Sequence, residues 1–226
     1  MEAVGLAFRA TKDLDVVIFV EGIDREFAAA IHAFITAGGY TVLERETEKR
    51  RFHRFAKPTA AGYPAMLELF SRADGALEIA PEQRTAPIFR AAAAQGETLS
   101  LSAILLDDVY YGWIRSGRIR IEGLPIVRAE HLIPLKARAW LDLTARRDAG
   151  ERIDSHDIAK HKNDVFRLYR ILDPEYAVAT PPEISADVSA FIDRMGSETL
   201  DFKALEIRSS APDVFAELRR RYARQG

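Results

Sequence analysis

Hydrophobic and polar residues alternate in short runs along the first half of the chain and recur at helical spacing along the second half. Residues 13–20 begin with alternating polar and apolar residues and continue as an apolar run, which predicts a first strand. Residues 24–37 carry apolar residues at helical spacing, which predicts a helix that ends at Gly38-Gly39. Further predictions in this half are strands over 40–43, 52–55, 65–70 and 76–79, a short helix or loop over 91–94, a helix over 101–114, and a hairpin of 118–121 and 124–127.

From residue 130 onward the period is helical. Helices are predicted over 130–147, from Asp154 or Ser155 to about 172, and over 185–195, 200–208 and 212–223. The chain is therefore predicted to be an α+β protein, with an α/β domain over residues 1–128 and a helical domain over residues 129–226.

Composition removes several classes of chemistry. The 226 residues include no cysteine, so thiolate metal sites and cysteine nucleophiles are excluded, and the net charge of −2 gives no overall attraction to nucleic acid. No secretory signal or membrane-length apolar run is present, which favours a cytoplasmic protein with no membrane partner. The five histidines do not cluster at metal-ligand spacing, and no glycine-rich phosphate loop or serine-hydrolase motif occurs.

The first candidate site is acidic. Asp13 and Asp15 are two residues apart on the first predicted strand, so their side chains would project to the same side. Mg²⁺ bound between them would relieve the repulsion between the two carboxylates. Glu68 lies between leucines on another predicted strand and could be a third ligand, so that the three carboxylates would hold metal ions for phosphoryl or nucleotidyl transfer. The alternatives are a solvated polar turn for the aspartates and an ion pair with Arg72 or Arg54 for Glu68. Glu78 is the competing third acid.

The second candidate site is helical. Lys136 stands in an otherwise core-like stretch and could bind a triphosphate. The next predicted helix carries Asp157, Lys160, His161 and Asp164 at positions that share one face. The alternative for Lys136 is a side chain that extends to the edge of the core and places its charge in water. The alternative for the next helix is a solvated face with ion pairs between successive turns.

These stretches together resemble a known family. The run Arg9-Ala-Thr-Lys-Asp-Leu-Asp-Val16 resembles the Arg-x-Thr-x-Asp-hydrophobic-Asp signature of the AbiEii-type nucleotidyltransferases, relatives of the toxins of type IV toxin–antitoxin systems. The stretches 130–143 and 157–168 resemble the lysine helix and the charged helix that follow in that family. The similarity extends from about Ala7 to Leu172.

The resemblance implies a polymerase-β-like nucleotidyltransferase fold with a helical C-terminal part, using Mg²⁺ and a nucleoside triphosphate, with RNA as an acceptor and an antitoxin as a partner. Asp13 and Asp15 would bind the metal ions, and Lys136 would contact the nucleotide phosphates as a further catalytic residue. The substrate-binding residues would be Arg9, Thr11, Lys12, Asp157, Lys160, His161 and Asp164.

One feature departs from the family pattern. A Gly-Gly or Gly-Ser turn normally precedes the aspartates and holds the triphosphate through backbone N–H groups, whereas here only Gly5 precedes Asp13. The sequence as given therefore predicts weak triphosphate binding and weak or absent transfer. Two alternatives follow: a truncated, catalytically silent nucleotidyltransferase fold that acts as a binding module, and a nucleotidyltransferase that modifies a small molecule.

Overall fold

The structure, a computed structural model, describes residues 13–19, 25–42, 54–72, 85–92 and 98–224. In those ranges it is an α+β protein with a six-stranded mixed sheet, a two-stranded hairpin and six helices, which confirms the predicted class. The strands are β1 (Asp13–Val17), β2 (Thr41–Val42), β3 (Arg54–Ala56), β4 (Met66–Arg72), β5 (Thr85–Ala92), β6 (Thr98–Leu106), β7 (Arg118–Ile121) and β8 (Leu124–Val127). The helices are α1 (Arg25–Gly38), α2 (Asp108–Ser116), α3 (Ala129–Asp148), α4 (Ser155–Tyr169), α5 (Pro182–Met195) and α6 (Ala211–Arg221).

The chain divides into two compact units, and the division falls between Tyr111 and Gly112, inside α2. The first unit contains the six-stranded sheet and α1, and the second contains the hairpin and helices α3 to α6. No helix in the described ranges is both long enough and apolar enough to cross a membrane.

Strand β4 is the centre of the first unit. Strands β1 and β6 pair with it in parallel and β3 pairs with it antiparallel, while β2 extends the sheet beside β3 and β5 extends it beside β6. Leu67 and Leu69 on β4 are buried, whereas Met66, Glu68 and Phe70 between them are partly exposed. This alternation gives the sheet one core face and one accessible face.

Helix α1 packs on the core face. Its residues Ala28 and Ile35 are buried in one cluster with Leu67 and Leu69 of β4. Gly39 follows the helix with φ of +60°, and a Cβ at this position would lie 2.0 Å from the Thr59 hydroxyl oxygen. The glycine that ends the helix is therefore required by both backbone conformation and space.

Two predictions in the first unit are wrong. The helix predicted over 101–114 is strand β6 followed by the short helix α2, and the helix or loop predicted over 91–94 begins as the end of strand β5. The stretch Leu99-Ser-Leu-Ser102 alternates with a period of two, which suits a strand, and β6 is held by both β4 and β5. The strand predicted over 76–79, including Glu78, lies outside the described residues.

The second unit is built on the hairpin of helices α3 and α4. Trp140, Phe166 and Phe191 are 2 %, 0 % and 1 % exposed, and Phe191 brings α5 onto both helices through ring contacts of 5.3 and 6.1 Å. Asp154, one of the two caps that the sequence left open, caps α4 by accepting the backbone N–H of His156 at 2.8 Å. The aromatic centre thus fixes three of the helices.

Pro134 lies inside α3 and leaves one helical hydrogen bond unmade. A residue at this position would normally donate its N–H to the carbonyl of Glu130, and proline has no N–H to donate. The hydroxyl of Tyr222, which directly follows α6, donates to that carbonyl at 2.7 Å instead. A side chain from the end of α6 therefore completes the first turns of α3.

The helix predicted over 200–208 is wrong. Residues 202–206 form turns, the Asp201 carboxylate accepts the backbone N–H of Ala204 at 2.9 Å, and Glu206 has a left-handed φ of +55°. Aspartate at this position favours a local turn because its side chain competes for backbone N–H groups.

The second compact unit begins at Gly112, earlier than the domain boundary predicted after residue 128. Trp113 donates its indole N–H to the carbonyl of His131 at 3.0 Å, and the two rings lie 4.3 Å apart. Gly117 packs so closely on His131 that a Cβ there would lie 2.1 Å from the imidazole. The end of α2 and the β7–β8 hairpin therefore belong with the helices.

Candidate functional site

The two aspartates lie on the accessible face of the first unit's sheet. Asp15 on β1 is paired in register with Glu68 on β4, and Glu68 is paired in register with Arg54 on β3. Residues in register on paired strands project to the same face, and Asp13 shares that face because it lies two residues before Asp15. The side chains of Asp15, Glu68 and Arg54 thus form a row across three strands, which we call the acidic row.

Glu68 is held by Arg54 within this row. The guanidinium donates from Nε to the Glu68 carboxylate at 2.5 Å, and a second nitrogen pairs with the same oxygen. The Glu68 side chain is 14 % exposed, and that of Arg54 is 39 % exposed. The structure therefore gives Glu68 the ion pair with Arg54 that the sequence left open as an alternative to metal binding.

The metal assignment remains a prediction. In the described part of the chain no group of three or more histidine, cysteine or acidic side chains lies close enough to hold a metal ion. Asp13 is half-buried and Asp15 is exposed, so both could offer carboxylate oxygens of the kind that Mg²⁺ prefers. Arg9, Thr11 and Lys12, with Gly5 before them, lie outside the described residues.

The helical candidate residues come together on α3 and α4 of the second unit. His161 on α4 interacts electrostatically with Lys136 on α3 and with three residues of its own helix, Asp157, Lys160 and Asp164. These five residues, all predicted as site residues from the sequence, form what we call the α3–α4 cluster.

Burial controls the charge of His161. The pKa of its imidazole is lowered to about 4: desolvation is the largest cause, Lys136 and Lys160 act in the same direction, and Asp164 and Asp157 oppose them. The ring is therefore neutral at pH 7, and its Nδ1 is buried with no hydrogen-bond partner in the described part of the chain. A neutral imidazole beside two ammonium groups can hydrogen-bond an anionic ligand without titrating.

Asp164 has a structural role in the same cluster. It is only 3 % exposed, and its carboxylate accepts a hydrogen bond from the Arg167 guanidinium at 3.0 Å one turn later. Because a buried carboxylate is costly without a partner, this ion pair offsets part of the cost of burying Asp164. Lys136 and Lys160 are half-buried, so their ammonium groups are the cations of the cluster available to a phosphate.

A third polar cluster was not predicted from the sequence. Glu130 is 2 % exposed, and its carboxylate accepts the backbone N–H of Asp173 at 2.8 Å and pairs with Arg128 at 3.4 Å. Arg128 also pairs with Asp173 and lies 3.9 Å above the ring of Tyr176. The signal in the sequence was an acidic residue in the first turn of a helix, which ordinarily indicates only a favourable helix-dipole position.

Desolvation also dominates at His131, the neighbour of Glu130. Burial lowers the pKa of its imidazole to about 4, an effect that Glu130 opposes and Arg128 reinforces. Its Nε2 lies 3.3 Å from the Ser116 hydroxyl, and its Nδ1 is buried with no partner in the described ranges. Packed between Trp113 and Gly117, this histidine serves the core.

Comparisons of the chain with protein-family models, with curated proteins and with solved structures found no match. The acidic row lies in the first unit and the α3–α4 cluster in the second.

Proposed function

We propose that this chain is an AbiEii-type nucleotidyltransferase with a polymerase-β-like sheet, which transfers a nucleoside monophosphate from a nucleoside triphosphate to an acceptor hydroxyl. The single observation that carries the proposal is the placement of Asp13 and Asp15 on the accessible face of the sheet, with Glu68 in register beside Asp15. Two aspartates that project from one strand onto an open face offer oxygen donors of the kind that Mg²⁺-dependent phosphoryl chemistry uses.

In the proposed reaction the acceptor oxygen forms a bond to the α-phosphorus and the bond to pyrophosphate breaks. Bound Mg²⁺ would supply charge neutralisation on the reacting phosphate oxygens. Asp13 and Asp15 would hold the metal, and Lys136 with Lys160 would bind the phosphates as point charges. RNA is the proposed acceptor and an antitoxin the proposed partner, and these two assignments come from the resemblance alone.

A second function is favoured by one specific observation. Arg54 neutralises Glu68, so this face of the sheet offers a metal the carboxylates of Asp13 and Asp15 but not the third carboxylate of Glu68. The same fold without effective metal binding would act as a catalytically silent interaction module. The two proposals differ in whether Mg²⁺ and a triphosphate bind at Asp13 and Asp15.

The test combines calorimetry with a transfer assay. Each of the four nucleoside triphosphates, labelled at the α-phosphate, is incubated with the protein, Mg²⁺ and RNA. Label transfer and triphosphate binding are then measured for three proteins: the natural sequence, Asp15→Asn and the control Glu26→Gln. Glu26 is an exposed acid on α1 of the same unit. We expect transfer by the natural sequence to be weak but measurable, Asp15→Asn to lower it by at least about a hundredfold or to below detection, and Glu26→Gln to leave it unchanged.

Arg54→Gln separates the two proposals further. If the acidic row is a metal site, removing the guanidinium frees Glu68 beside Asp15, so Mg²⁺ affinity should rise. If Mg²⁺ binds neither the natural sequence nor Arg54→Gln, and no triphosphate is bound or transferred, the enzyme proposal is wrong and the interaction module is favoured.

A further inference from the structure

A cleft of about 660 Å³ opens in the second unit where α4 ends. Tyr169 and Arg170, the last residue and the C-cap of α4, line one part of it. The rest is lined by the segment that precedes α6: Lys203, Glu206, Ile207, Arg208 and Ser209. This volume lies within the ~300–1,000 Å³ range of small-ligand sites, so the cleft is large enough for a nucleotide.

The cleft is locally positive. Three cationic side chains and one carboxylate line it, in a chain whose net charge is −2. The side chains of Lys203 and Arg208, both exposed, make no ion pair within the described part of the chain. Two lysine or arginine side chains at one cleft without acidic partners favour binding of an anion.

The third cation is engaged by a carboxylate that can be displaced. Arg170 donates to Glu206 at 2.5 Å, and the Arg170 side chain is 15 % exposed whereas that of Glu206 is 61 % exposed. Glu206 reaches this position from a left-handed backbone conformation, with φ of +55°, which is unfavourable for a residue other than glycine. Because the Glu206 carboxylate is exposed and can be hydrated when it leaves, a ligand oxygen can replace it on the Arg170 guanidinium.

The Tyr169 hydroxyl does not compete for this role. Tyr169 donates its hydroxyl to Glu217 at 2.5 Å and is thereby committed to α6. The charge of a ligand must therefore be met by Arg170, Lys203 and Arg208. Arginine forms paired hydrogen bonds to phosphate oxygens, and lysine adds a point charge.

We propose that this cleft binds a phosphate group, carried either by a free nucleotide or by the backbone of a short single-stranded RNA. The site uses no residue of the acidic row, so it stands or fails independently of the proposed nucleotidyl transfer. Glu206 acts as an internal competitor that occupies Arg170 until the phosphate displaces it.

The experiment is calorimetric titration of the full chain with three probes at constant ionic strength: inorganic phosphate, adenosine monophosphate, and a short RNA with a 5′-hydroxyl. Arg208→Gln and Lys203→Gln should each weaken binding by about tenfold, since a charge-assisted hydrogen bond contributes roughly that factor. Glu206→Gln should strengthen binding about twofold to fivefold, because it removes the competing carboxylate. Circular dichroism checks that each variant is folded.

Arg152→Gln is the matched control. Arg152 is exposed and precedes α4, whereas the cleft lies beyond its other end, and a helix of 15 residues spans roughly 22 Å. Any of three results would overturn the proposal. They are an equal loss of affinity in Arg152→Gln and Arg208→Gln, a loss of affinity in Glu206→Gln, and the absence of binding by all three probes. Preference for adenosine monophosphate identifies a free nucleotide as the source of the phosphate, and preference for the RNA identifies the backbone.

Discussion

At the scale of single residues, one buried and one half-buried histidine are expected to make this protein sensitive to acid. His131 and His161 are on different helices of the second unit, and burial is the largest cause of the lowered pKa of each, about 4 in both cases. In the unfolded chain a histidine has a pKa near 6.5. Between these two values the unfolded state binds protons that the folded state does not.

We predict that the free energy of unfolding falls as the pH falls from about 6.5 towards 4. The sign follows from linkage: a depressed pKa in the folded state gives stability that is present above the unfolded pKa and is lost below it. The loss at pH 5 should be on the order of 1–2 kcal/mol for each histidine. Urea unfolding at pH 7 and pH 5 measures it.

His161→Gln should reduce this pH dependence, and His156→Gln is its control because His156 is exposed at the start of the same helix. Equal slopes for His161→Gln and the natural sequence would contradict the assignment of the effect to His161.

Residue-scale features were predictable where the side chain was unusual for its position. His161 and Asp164 stood out because both are poor choices for a solvated helix surface, and the structure buries both in part or in full. The partner of Glu68 was not predictable, because the sequence allowed an ion pair with either Arg54 or Arg72. Only the pairing of β3 with β4 places Arg54 beside Glu68. An ion pair between strands depends on register, which single residues do not reveal.

At the scale of elements, α6 is fastened to α3 by the hydroxyl of Tyr222. Tyr222 is 1 % exposed, and its hydroxyl is the donor that Pro134 cannot supply to the Glu130 carbonyl. Arg221 adds hydrogen bonds to the carbonyls of Asp173 and Tyr176 at 2.9 and 3.1 Å. One end of α6 therefore contacts both α3 and the segment between α4 and α5.

We predict that Tyr222→Phe destabilises the protein by about 1–3 kcal/mol, because it leaves a buried carbonyl without a donor. Tyr169→Phe is the matched control: it removes the same atom, but the Glu217 side chain it leaves is 34 % exposed and can be hydrated. Chemical unfolding and hydrogen exchange of the α6 amides measure both variants.

The contribution of the proline can be isolated in the same experiment. In a Pro134→Ala background, residue 134 regains an N–H for the Glu130 carbonyl, so Tyr222→Phe should cost less than it does in the natural sequence. An identical cost in the two backgrounds would contradict the proposed exchange of donors.

Elements that are formed by interactions between residues close in sequence were predicted correctly more often than elements that depend on distant pairing. Helices α3 and α4 were predicted to within a few residues because helical periodicity and capping are local signals. Strand β6 was missed although Leu99 to Ser102 alternate with a period of two, because the apolar residues further along the stretch were assigned to one helix and the pairing with β4 and β5 is not visible in the sequence. The turns over 202–206 were missed because apolar spacing outweighed the turn signal of Asp201.

At the scale of the whole molecule, the chain is two compact units whose division lies inside a helix. The second unit has its own aromatic centre and its own polar cluster at Glu130. A unit with a buried core of this kind is expected to fold by itself.

We predict that a fragment of residues 107–226 folds cooperatively and keeps the acid sensitivity assigned to its two histidines. The fragment retains all of α2, whose first turn is capped by the Asp107 carboxylate at 2.8 Å from the Tyr110 N–H. Residues 129–226 are the comparison: this fragment lacks Trp113 and Gly117, which pack on His131, and should be less stable. Circular dichroism with thermal unfolding distinguishes them, and equal stability would contradict the boundary at α2.

The exchange of donors at Pro134 also has a consequence for the order of events on the ribosome. Protein synthesis proceeds from the N-terminus, and Tyr222 is made 92 residues after Glu130. While the intervening helices emerge, the first turns of α3 have one carbonyl that only water can satisfy. The start of α3 therefore reaches its final hydrogen bonding only after α6 has been translated and has docked, although local signals favour α3 as a helix much earlier.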